Sequence, residues 1–224
     1  MQDEPGITPP GRDNITRLLG IARSEQDAAL GDFVNYWMSM RRDGDVPRRS
    51  DVDPRGIERM LSNAFVAERI APGLARLRIA GAHLSDLMGM EVRGMPVSAF
   101  ITPEARDDLA HDLVRLFDEP ATLRLTLQSE GNPALSGTMI LLPLRSDLGD
   151  ISRALGCLVT DGPLARAPHR FVIKDRKVMP LGNQAARPIP EKGASGFAQS
   201  KSRFKPPTPA QPGERPYLKL VKTD

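Results

Sequence analysis

The chain has 224 residues with 31 Lys and Arg against 28 Asp and Glu, a net charge of +3, and that length suits one or two domains. One cysteine, Cys157, excludes an intrachain disulfide and a multi-cysteine metal site. The longest apolar stretch, around residues 139–142, is far short of the roughly 20 residues that a membrane-crossing helix needs.

In chain order, residues 1–25 read as a flexible segment opening on Met1-Gln-Asp-Glu-Pro, which lacks the basic and apolar regions of a signal peptide. A soluble, cytoplasmic protein is expected. Between residues 27 and 42, Leu30, Phe33, Val34, Trp37 and Met38 recur at helical spacing. Gly44 and Pro47 stop that helix, and Asp53 then reads as an N-cap with Pro54 at the first helical position. Residues 65–70 and 75–79 read as two strands joined by an Ala71-Pro-Gly turn. A short helix over 83–88 ends at Gly89. Thr102-Pro103-Glu104 starts a longer helix over 103–118, whose apolar stripe is Ala105, Leu109, Leu113, Leu116 and Phe117. Three further strands follow, over 121–128, 135–144 and 151–160. Leu123, Leu125 and Leu127 alternate with polar residues, the pattern of a half-buried strand. Met139-Ile-Leu-Leu is apolar on both faces and suits a central strand.

The charge is divided unevenly. Residues 166–224 carry 13 Lys and Arg and 4 Asp and Glu, a net of +9, and residues 1–165 carry 18 and 24, a net of −6. The same tail holds 9 of the 21 prolines. Such a composition buries too little apolar surface to offset ordering entropy, so the tail is expected to be a mostly disordered basic extension of a domain spanning 26–165.

Several short motifs carry a resemblance. They are the run from Tyr36-Trp37 through Arg48-Arg49-Ser50-Asp51-Val52-Asp53-Pro54, then Leu77-Arg-Ile-Ala-Gly-Ala-His-Leu, Leu87-Met-Gly, and Arg93-Gly-Met-Pro. Together they resemble a bacterial family of stand-alone PAS-like proteins over roughly residues 33–160. The resemblance implies an α+β fold: a five-stranded antiparallel sheet with helices on one face around a small apolar cavity, preceded by an N-terminal helix. It also implies a sensory or protein-interaction module rather than an enzyme. Consistent with that, no phosphate-binding glycine loop, nucleophile elbow or His-Glu-x-x-His occurs.

The candidate cavity residues are Leu109, Leu113, Leu116, Leu125, Leu127, Ile140, Leu142 and Leu158. His111 is the haem-ligand candidate, because it lies on the helix matched to the one that supplies the axial ligand in haem-binding PAS proteins. At 100° per residue it falls about 200° from Leu109, away from the apolar stripe, so no haem is expected. Cys157 sits in Leu155-Gly-Cys-Leu-Val on the last strand, whereas flavin-binding PAS domains place their reactive cysteine before the long helix; it reads as a small buried hydrophobe. Asp51 and Asp53 read as turn and cap residues, with no metal role. Trp37 reads either as a core anchor or as an interface anchor in a homodimer. In the tail, Tyr217, Leu218, Leu220 and Val221 form an apolar cluster beyond a Pro-rich spacer, which fits an extended motif docking on a protein partner in a signalling pathway. The tail's low aromatic content disfavours nucleic acid, and membrane tethering is likewise not favoured. A small ligand in the cavity is the remaining expected input.

Overall fold

The computed structural model describes residues 25–181, in which three α-helices and six strands are joined by short turns and 3-10 segments. Helix α1 (Glu25–Ser39) has Leu30, Phe33, Val34 and Trp37 one above another, and all four are buried. Full burial of side chains of this size contributes about 1.5–3 kcal/mol each. Past the helix the backbone turns through Asp43 and Gly44, both at positive φ (51° and 77°). Two 3-10 segments follow, Arg49–Asp51 and Pro54–Met60.

Strands β1 (Ala64–Ala71) and β2 (Leu74–Ala80) form a hairpin whose turn uses Gly73 at φ 72°. Helix α2 (Ala82–Met88) stops at Gly89, which is left-handed (φ 69°) and returns its N–H to the Ser85 carbonyl. A 3-10 turn at Pro103–Ala105 leads into α3 (Arg106–Asp118). Strands β3 (Ala121–Ser129), β4 (Ser136–Arg145), β5 (Ile151–Asp161) and β6 (Phe171–Pro180) complete one antiparallel sheet in the order β2-β1-β5-β4-β3-β6.

The sheet thus has six strands where five were expected. The additional strand lies beyond residue 165, in the stretch read as disordered tail. It pairs with β3 from Ala121↔Pro180 to Ser129↔Phe171. Its composition hid it: Lys174, Asp175, Arg176 and Lys177 are exposed on the outermost strand, and charge at a sheet edge is how natural proteins prevent further strand pairing.

Each face of the sheet has its own core. On one face, Phe65, Leu77, Leu123, Leu125, Leu127, Met139, Leu141 and Leu158 meet α2, α3 and the turns around Val97–Phe100. On the other, α1 and the Pro54–Met60 segment cover Ile140, Leu142, Leu144, Leu155, Cys157 and Val159. The side-chain period of two on β4 and β5 makes this possible, since successive residues serve opposite cores.

Candidate functional site

Six of the eight candidate cavity residues share the core beneath α3: Leu109, Leu113, Leu116, Leu125, Leu127 and Leu158, each no more than 1% exposed. Ile140 and Leu142 do not join them. They lie on the opposite face, under α1. The register fixes this, because Leu125 pairs with Met139 and Leu123 with Leu141, and opposed residues point to one face. Met139 and Leu141 therefore take the inner places that Ile140 and Leu142 were expected to fill.

His111 is exposed on α3 and does not reach the inner core. Its neighbour Asp112 is buried, and its Oδ2 accepts no hydrogen bond. Arg176 on β6 lies 3.5 Å from that oxygen and 3.2 Å from Asp108. Burial pushes the Asp112 carboxyl above its ordinary range, opposed chiefly by Arg176. The sixth strand thus supplies the cation facing an acid on the longest inner helix. Sequence reasoning missed that pairing because it missed the strand.

Trp37 is wholly buried in the α1 core, and its indole Nε1 donates to the Pro143 carbonyl at 3.0 Å. That carbonyl lies past Leu141, the last β4 residue paired with β3, so the indole supplies a donor where the ladder has ended. The Arg41 guanidinium stands 5.4 Å from the ring centroid. Trp37 has no surface left for a second subunit, and its reading as an interface anchor is corrected to a core anchor.

The Tyr-Trp and Asp-Pro motifs form one structural clasp. The Tyr36 hydroxyl donates to the Asp53 carbonyl at 2.9 Å and accepts from the Asp53 N–H at 2.7 Å. A Cβ on Gly56 would meet the Tyr36 ring at 2.0 Å, so only glycine lets the two segments close. Asp53 caps its 3-10 segment by accepting from the Arg55 N–H at 3.0 Å, and Asp51 accepts from the Arg48 N–H at 2.9 Å. Both aspartates are occupied by backbone amides.

Cys157 is buried beneath α1, and burial pushes its thiol pKa up to about 12. Its thiolate, the nucleophilic form, is therefore strongly disfavoured. His83 Nε2 lies 3.0 Å from Thr160 Oγ1, and burial lowers the imidazole's pKa. Among the described residues no group of three or more His, Cys, Asp or Glu could hold a metal ion. No described helix is long and apolar enough to cross a membrane. Tyr217, Leu218, Leu220 and Val221 lie outside the described residues.

One surface feature had no forecast in the sequence. Between the Pro54–Met60 segment and the outer face of β1, β2 and β5 lies a groove of about 470 Å³, lined largely by apolar side chains that include Val52, Ile57, Leu61, Val66, Ile79 and Leu155. Leu61 and Ile79 are about half exposed there. A second hollow of about 320 Å³ shares Arg49, Val66 and Ile79 with it and adds Glu68, Arg78, Ser146, Asp147 and Arg153. An isolated signal existed in Ile79, an apolar residue at the outward position of an edge strand, but nothing in the sequence placed it opposite Leu61.

Comparison with known proteins gives a family match described as PAS domain, over residues 25–159. No curated protein matches the chain. Among solved structures, the chain is similar to a sensory box sensor histidine kinase from Vibrio cholerae, with 16% identity and a TM-score of 0.32 over 48% of this chain and 85% of that one. It is also similar to an RNA-binding light-oxygen-voltage receptor, with 16% identity and a TM-score of 0.36 over 66% of this chain and 48% of that one.

Proposed function

Because the chain belongs to the PAS domain family, we propose that it is a sensory or signalling regulator that acts by binding protein partners rather than by catalysis. The observation that carries this reading is the family match together with the PAS element order: a hairpin, short helices, one longer helix and a three-strand meander, all present from β1 to β5. The inner core between α3 and the sheet is the place where this architecture would admit a small ligand. A haem input is disfavoured by the exposed position of His111.

The partner contact is assigned to the C-terminal apolar cluster. In an extended segment Leu218 and Leu220 share one face, so the variant carrying Leu218→Ser and Leu220→Ser should lose a partner that the unaltered chain recovers from its native cells, with an unchanged thermal melt. The recovered protein, once purified, should bind a peptide of residues 212–224 directly. Unchanged recovery would refute the docking role. Loss only on charge reversal of Lys201, Arg203 and Lys205 would transfer the contact to electrostatic tethering.

A further inference from the structure

We infer that the groove on the outer face of β1 and β2 is a binding site for a single-chain amphiphile with an anionic head, such as a carboxylate, lying on the opposite side of the sheet from the inner core. Its volume of about 470 Å³ falls within the range of small-molecule sites. The apolar part is built from three directions: Ile57 and Leu61 from the 3-10 segment, Val66 and Leu155 from neighbouring strands, and Ile79 from the edge strand. Leu61 and Ile79 remain about half exposed in the free protein, so an alkyl chain lying between them would bury surface that the fold leaves in water.

The polar end selects the sign of the head group. Arg49 lines both hollows and forms no ion pair with a described residue. Beyond it, Arg78 Nε and Arg153 Nη1 both engage the single carboxylate of Glu68. Each guanidinium has five N–H donors, so both retain donors beyond those used on Glu68. The lining groups at this end are Arg49, Arg78 and Arg153 with Glu68 and Asp147, and Asp150 also acts on Arg153; with Arg78 and Arg153 turned to these acids, Arg49 is the cation left facing both hollows. An anionic head fits there, and Arg49 can hold it through charge-assisted hydrogen bonds. The chain's own apolar cluster, Tyr217 to Val221, fits less well, because Arg215, Lys219 and Lys222 surround it with charge of the wrong sign.

The site requires only purified full-length protein for its test and does not depend on the partner contact proposed above. Decanoate, kept below its micellar concentration, should bind by calorimetry, and decylamine should not. Arg49→Gln alters an exposed side chain and should weaken decanoate binding about tenfold while leaving the melt unchanged. Ile79→Asp should abolish binding. In methyl NMR spectra, decanoate should shift Ile57, Leu61, Ile79 and Leu155. Equal binding of decylamine, full affinity in Arg49→Gln, or shifts confined to Leu109, Leu113 and Leu116 would each overturn the assignment. So would self-association of the free protein that Ile79→Asp abolishes, because a second copy would then be the occupant.

Discussion

Replacing Trp37 separates two contributions that the fold combines at one position. Trp37→Phe keeps most of the ring packing under α1 but removes the donor to the Pro143 carbonyl, and losing one hydrogen bond of this kind costs about 1 kcal/mol. Trp37→Ala removes the ring as well and should cost about 3–5 kcal/mol. Denaturant unfolding of the two variants distinguishes these effects, and similar losses in both would show that packing contributes little. Asp112 gives a pH-dependent counterpart. Its folded pKa is raised, so the folded state holds a proton that the unfolded state releases at the same pH. Stability is therefore lost as pH rises from the ordinary carboxylate range through the folded pKa. Asp112→Asn should raise the melting temperature at neutral pH. That gain should vanish at a pH below the unfolded carboxylate value. Arg176 keeps Asp108 as a partner in the variant, so the substitution strands no charge. A gain that persists undiminished at low pH would refute the desolvation account.

At the scale of elements, strand β6 carries the described sheet past residue 165. It covers the open edge of β3 along its whole length and supplies Arg176 to α3. Truncation after residue 181 should leave the melt of the full chain unchanged, whereas truncation after 165 should lower it and expose the β3 edge to aggregation. Equal melts for both truncations would show β6 to be dispensable. The other elements were legible because each had its own local signal: the helical spacing of Leu30, Phe33, Val34 and Trp37, the turn at Gly73, the stop at Gly89 and the alternation of Leu123, Leu125 and Leu127. Strand β6 had one as well, Phe171-Val-Ile and Val178-Met, but the charged run Lys174 to Lys177 between them and the basic, Pro-rich sequence that follows concealed it. The inner core was legible on α3 and β3, where only one face is apolar. It was misread at Ile140 and Leu142 because a strand apolar on both faces gives no parity; only pairing with Leu123 and Leu125 supplies it. The outer groove was illegible for a related reason, as its walls come from segments whose proximity is set by the tertiary fold.

For the whole molecule, counting β6 with the sheet it joins changes the charge division. Residues 1–181 carry 23 Lys and Arg and 25 Asp and Glu, a net of −2, which leaves residues 182–224 with 8 and 3, a net of +5. The stretch through β6 is close to neutral, and the positive excess falls within residues 182–224. The placement of one apolar layer on each side of a single sheet has a further consequence for how the protein melts. Strands β4 and β5 serve both layers through alternate residues, so neither layer can be lost while the other keeps its floor. Calorimetry of residues 25–181 should show one transition whose van't Hoff and calorimetric enthalpies agree. Backbone amides of β4 and β5 should exchange with solvent only through global opening, later than those of β2 and β6 at the sheet's margins. A PAS domain with its helix packed on the far side of the sheet would then behave as one cooperative unit, so that a disturbance beneath α3 is registered in the seat of α1.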